Sequence, residues 1–260
     1  MSRHADYRKL SVVKFYERRL EESLKSFIPL SYHPGGVETT RMLIEEANIS
    51  ENSIVLDIAS GTGETATYIA TNTNSEVIGI DLSRKMVEYA NTLVKITNLD
   101  EKVKFILADA ERIPLQDNIF DAALSECTLC LVPDMLRVLR EMRRVVKPGA
   151  KVAVADVILA EKIPGNLANK VLHVSCIPTK RTLDDYINSF RKAGLREVKV
   201  KDVTKSVIDQ INQFFKEEMG GEGSLYFPNT LEMGIRDIQK ISIDLWLSGR
   251  IKYYIVSGVK

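Results

Sequence analysis

Residues 54–63 read Ile54-Val55-Leu56-Asp57-Ile58-Ala59-Ser60-Gly61-Thr62-Gly63, a short apolar run that carries one acid and empties into a loop with two glycines. A continuous apolar run of this length marks a strand covered on both faces. Glycines directly after it let backbone approach a ligand where a side chain would collide. Residues 64–70 behind the loop have helical spacing, so the unpaired N–H groups and positive dipole end of a helix face the same point. Working outward, this unit recurs. Strands are predicted over residues 54–59, 77–80, 103–107, 121–124 and 152–157, with helices over 64–70, 83–94 and 134–146 between them. Strict alternation implies right-handed crossovers and an α/β fold built on a doubly wound parallel sheet.

Upstream, Val13, Tyr16, Leu20, Leu24 and Phe27 recur at three- and four-residue steps and predict an amphipathic helix over 10–27. His4 precedes it at a frayed end. A second helix is expected over 37–48, separated from the first by the proline- and glycine-broken loop 29–36. After the fifth strand the rhythm loosens through 159–180, then returns as a helix over 183–193 and a strand over 195–203. A helix over 208–217, a glycine-rich turn at 220–223, a helix over 230–247 and a last strand at 251–257 complete the chain. The whole reads as a single domain, 1–260. Its core covers about 37–204 plus 251–257, an N-terminal helical cap about 8–36, and a helical insertion about 205–249. The added segments would cover one edge of the sheet as lids.

With 45% hydrophobic and 27% charged residues, the 260-residue chain has the balance of a globular protein. Its formal net charge of +1 lacks the basic excess that long nucleic acids require, so none is expected as a partner. No run of about 18 apolar residues occurs, and the polar start Met1-Ser2-Arg3-His4-Ala5-Asp6 leads into no hydrophobic segment, so neither a membrane span nor a signal peptide is expected. Three cysteines read as thiols and point to the cytoplasm. Cys127-x-x-Cys130 has no second ligand pair at suitable spacing, so no metal site is expected.

Asp81 ends the second strand 20 residues after Gly61. A carboxylate there can accept both hydroxyls of a ribose, which describes an adenosine-containing ligand at the carboxyl ends of parallel strands. Gly61-x-Gly63-x-x-Ala66 also satisfies the nicotinamide fingerprint, so a nicotinamide-dependent oxidoreductase stays open as a second reading. Three features point elsewhere. Asp57, inside strand one, suits the ammonium of a methionine moiety and would repel a pyrophosphate; Asp109, after strand three, lies within reach of an adenine amino group; and the chain closes on two late strands around a helical insertion.

At these residues, over about 37–203, the chain resembles the class I S-adenosylmethionine-dependent methyltransferases. Residues 108–121 and 139–149 resemble the branch containing quinone, sterol and arsenite methyltransferases. The resemblance implies a mostly parallel seven-stranded sheet whose final strand runs antiparallel, and methyl transfer from S-adenosyl-L-methionine to a small-molecule acceptor. It implies that Asp57, Ala59, Gly61, Gly63, Asp81, Leu82, Met86, Asp109, Ala110 and Ser125 hold the cofactor, with Ala59 standing where the family usually has its first loop glycine. On the acceptor side His33 and His173 are candidate bases, Tyr32 is placed to close over the methyl group, and Tyr226-Phe227 to line a lid. Cys127 and Cys176 resemble arsenic-binding thiols of the arsenite enzymes, although a further upstream cysteine of that family is absent. The same residues are compatible with an arsenite methyltransferase-like enzyme and with a non-catalytic S-adenosylmethionine-binding protein.

Overall fold

The computed structural model describes residues 3–26, 33–160, 181–218 and 244–260. Its sheet is built from β1 (Ile54–Ile58), β2 (Glu76–Asp81), β3 (Val103–Leu107), β4 (Phe120–Glu126), β5 (Val146–Leu159), β6 (Arg196–Asp202) and β7 (Ile251–Val259). The strands lie in the order β3-β2-β1-β4-β5-β7-β6. β1 pairs parallel with β2 and β4, and only β7 runs against its neighbours β5 and β6. The reversal of order at β1 and β4 makes the switch point where ligands of doubly wound sheets bind.

The helices are α1 (Arg3–Ser26), α2 (Gly36–Glu46), α3 (Glu64–Thr73), α4 (Arg84–Ile96), α5 (Met135–Val145), α6 (Leu183–Lys192) and α7 (Thr204–Glu218). Starts follow local chemistry. Ser83 caps α4 by accepting from the Met86 N–H, Asp134 caps α5 by accepting from the Arg137 N–H, and Thr182 with Asp185 forms a reciprocal capping box on α6. Two apolar clusters cover the two faces of the sheet, one with Leu43, Ile69 and Phe105, the other with Leu56, Phe120 and Leu139.

Among the boundaries that differ from the sequence expectation, three change what surrounds the sheet edge. α1 begins at Arg3, ahead of the expected start at 10, so His4 lies in its first turn. β5 starts at Val146 and not at 152, because Val146 pairs with Phe120 before a register shift carries the ladder to Ala122 and Lys151. β4 runs two residues further than predicted, to Glu126, and so carries that carboxylate to the sheet edge where the glycine loop lies. The expected turn at 220–223, most of segment 159–180 and most of the helix expected over 230–247 lie outside the described residues. Among the described residues no helix is long and apolar enough to cross a membrane.

Candidate active site

β1 delivers the chain into a loop whose backbone turns left-handed at Ala59 (φ 56°), Gly61 (φ 54°) and Gly63 (φ 84°). The Ser60 N–H donates to the carbonyl of Ile80, and the Gly61 N–H to Asp81 Oδ2 at 3.0 Å. Asp81 Oδ1 accepts from the Ser83 N–H at 2.8 Å. The carboxylate at the end of β2 therefore fixes both the glycine loop and the start of α4.

A cavity opens above this junction, with about 1170 Å³ of empty space including its mouth. Of the residues expected to hold the cofactor, Asp57, Ala59, Gly61, Asp81, Leu82, Met86, Asp109 and Ala110 line it. Gly63 and Ser125 are placed elsewhere. Gly63 caps α3, and a Cβ there would meet the Phe105 ring. Ser125 is fully buried, its hydroxyl 3.3 Å from the carbonyl of Ile58. Of the acceptor-side candidates His33 and Cys127 line the cavity, while Tyr32, His173, Cys176, Tyr226 and Phe227 lie outside the described residues.

The cavity wall is acidic. Asp57 is 2% exposed, and its Oδ2 has no hydrogen-bond partner among the described residues. Burial pushes its carboxyl well above the usual range, and the charges of Glu126 and Asp81 push the same way. Glu126, absent from the sequence expectation, is the second such group. Its Oε2 accepts from the hydroxyls of Thr65 (2.9 Å) and Thr40 (3.1 Å), and its Oε1 lies 3.3 Å from His33 Nδ1. Burial raises the Glu126 carboxyl, and His33 and the two hydroxyls oppose that rise. At His33 the other ring nitrogen, Nε2, is 3.9 Å from Glu64 Oε2. The sequence expectation misses Glu126 because a strand over 121–124 stops short of it. Strand alternation turns Ser125 into the core and leaves the following residue at the cavity.

Cys127 is buried, adopts φ 55°, and donates its N–H to the carbonyl of Ala155. Asp109 Oδ1 accepts from the Glu111 N–H, while Oδ2 is engaged by Lys9 of α1 at 2.6 Å.

A methyltransferase-domain model matches residues 49–208, which is most of the described sheet. Methyltransferase GfsG of Streptomyces halstedii is 33% identical over 174 residues, 65% of this chain and 62% of that protein, so the match spans under two thirds of that relative's length. A sarcosine/dimethylglycine N-methyltransferase of Halorhodospira halochloris is 27% identical over 84% of this chain and 78% of that protein. In structure, Haemonchus contortus phosphoethanolamine N-methyltransferase 2 in complex with S-adenosyl-L-methionine superposes with a TM-score of 0.72 at 19% identity, over 88% of this chain and 53% of the other.

Proposed function

We propose, from a chain that belongs to the methyltransferase-domain family and within it to the class I S-adenosylmethionine-dependent type, that it moves a methyl group to a small organic acceptor bound beside His33 and Glu126. The observation that carries this reading is the acidic, partly unsatisfied wall made by Asp57, Asp81 and Glu126 around the cavity at the switch point of the sheet. S-adenosylmethionine fits those residues. The orphan oxygen of Asp57 suits an ammonium, the Asp81 carboxylate suits ribose hydroxyls, and the space above Gly61, where a Cβ would meet nothing within 4 Å, admits the ligand backbone. A pyrophosphate would be repelled by the same acids, which disfavours a nicotinamide cofactor.

Bound there, the cofactor would supply an electrophilic methyl group on a cationic sulfur. The protein supplies position and a dry surface, and Leu131, Val132 and Pro133 give the acceptor side an apolar wall. Where the acceptor brings a proton, His33 would take it, beside the buried Glu126 carboxylate whose Oε1 lies 3.3 Å from Nδ1. An arsenite acceptor is not favoured. Of the two relatives, one is named for organic amines and the other, GfsG, as a methyltransferase alone. Thiol cysteines suit a reducing compartment, and the cytoplasm is the proposed location.

Calorimetry with S-adenosylmethionine and S-adenosylhomocysteine tests the reading. Both should bind, and absence of binding by both would overturn it. Asp81→Ala removes an acceptor that serves the Gly61 and Ser83 N–H groups as well as the ribose. It should weaken binding by about 1–3 kcal/mol, and unchanged affinity would mean that the ribose is held elsewhere. His33→Gln should lower kcat for a protic acceptor by about 10²–10⁴-fold with S-adenosylhomocysteine affinity unchanged. Full turnover in that variant would remove His33 from the mechanism.

A further inference from the structure

Helix α1 sends Lys9, Val12, Val13 and Tyr16, one face at helical spacing, into the cavity wall. It is pinned at two places. The Lys9 ammonium lies 2.6 Å from Asp109 Oδ2 and 2.8 Å from Glu111 Oε2, with 12% of its side chain exposed. Two turns later Glu17 Oε1 accepts from the Ser83 hydroxyl at 2.7 Å, and Ser83 is the residue whose N–H holds Asp81. One pin thus sits on the loop after β3 and the other on the loop after β2, the two loops that face the adenosyl half of the proposed cofactor. Val12, Val13 and Tyr16 bridge the gap between them. Outside the cavity, Lys85 adds an exposed pair to Glu21. Tyr7, Leu10 and Leu24 of the same helix are exposed.

We infer that Lys9 is a cofactor-site residue of a kind the fold core does not supply: a clasp that closes α1 over the adenosyl group, and that must let go of Asp109 and Glu111 for the nucleoside to enter or leave. The inference rests on the proposed cofactor. Three observations carry it. The clasp is the point where α1 meets the residue expected to face adenine; its three charged groups all line the cavity; and the carboxylates it grips lie about 100 positions away on the loop after β3, so the contact ties α1 to the sheet by docking and not by local spacing. Partial burial opposes the charge on Lys9, and the hydrogen bonds to Asp109 and Glu111 outweigh it, so the ammonium stays charged well into the alkaline range.

A clasp has a kinetic signature that an ordinary ligand contact lacks. Opening is on the path in both directions, so loosening it accelerates association and dissociation together, whereas loss of a simple contact raises dissociation alone. The experiment is surface plasmon resonance of S-adenosylhomocysteine on the wild-type chain, Lys9→Met and Lys9→Arg. Lys9→Met keeps the apolar stem and removes the charge. Both rates should rise about tenfold in it, the factor that corresponds to one well-placed part-buried ion pair, and Lys9→Arg should stay near wild type. Raising salt from about 0.05 to 0.5 M shortens the reach of charge, so the wild-type rates should rise while those of Lys9→Met stay level. This salt series decides alone if Lys9→Met fails to fold. Equal rates in wild type and Lys9→Met, or dissociation rising with association unchanged, would overturn the clasp while leaving the cofactor reading intact. A wild-type chain that binds no S-adenosylhomocysteine would overturn both.

Discussion

Gly61→Val should weaken cofactor binding by more than about 100-fold in a chain that keeps its stability to within a few kcal/mol, whereas Gly63→Val should destabilise the fold itself. The two glycines stand two residues apart with the same left-handed backbone, yet a side chain would go to opposite places. At Gly61 a Cβ meets no atom within 4 Å, since it points into the cavity. A β-branched residue there carries strain of about 1–3 kcal/mol for its positive φ, which a domain stabilised by about 5–15 kcal/mol tolerates. Its methyl groups would fill the space where the ligand backbone must pass, and affinity should fall by more than about 100-fold, or some 3 kcal/mol. At Gly63 the Cβ would lie 2.4 Å from Cζ of Phe105, a core ring only 4% exposed, and φ is 84°. Overpacking of about 1–3 kcal/mol adds to the strain, for a total of about 2–6 kcal/mol. Thermal melts beside calorimetry with S-adenosylhomocysteine separate the two. Normal binding by Gly61→Val would mean that the loop does not contact the cofactor, and a wild-type melting temperature for Gly63→Val would mean that Phe105 does not constrain this turn.

That contrast shows where sequence reasoning is strong and where it stops. Apolar runs bounded by glycine reveal β1 to β4 to within a few residues, because a strand covered on both faces leaves no alternative pattern. They also place the glycine loop and Asp81 at one edge, since adjacent parallel strands end together. They do not reveal which glycine faces the cavity and which faces a ring, because that depends on Phe105, a residue of another strand. Ser125 and Glu126 differ by one step of strand alternation, and a strand end set at 124 leaves both in a loop, where alternation no longer tells wall from core. Lys9 is harder still. Helical periodicity predicts α1, yet nothing local tells that its lysine will meet Asp109, because the meeting is made by docking and not by spacing. The bulge that lengthens β5 likewise comes from its partner, through the pairing of Val146 with Phe120.

Wild-type stability should fall as pH rises from about 4 to 7.5, relative to Asp156→Asn, by about 3 kcal/mol. Asp156 lies on β5, fully enclosed, and accepts at Oδ2 from the Tyr186 hydroxyl at 2.9 Å and from the Cys130 N–H at 3.0 Å, while Oδ1 has no partner among the described residues. Burial pushes its carboxyl up to about 6, with Cys130, Tyr186 and Arg181 restraining the rise. The folded protein therefore holds this proton at pH values where the unfolded chain, with a carboxyl near 3.8, has released it. The stabilisation is complete below about 4 and is lost as pH climbs through about 6. A gap of roughly two pH units at about 1.36 kcal/mol each gives the magnitude. Asp57, Asp81 and Glu126 are raised in the same direction, so an absolute profile would mix four groups, whereas the difference between wild type and Asp156→Asn isolates one. The consequence reaches the cavity, because Asp156 holds Cys130 while Arg181 donates to the carbonyl of Val132 at 2.6 Å, and Leu131, Val132 and Pro133 form part of its wall. Urea unfolding at intervals from about pH 4 to 8 measures the difference. A difference that stays flat would mean that Asp156 is already ionised in the fold at the acid end, and that the loop it anchors is held by hydrogen bonds to a charge throughout.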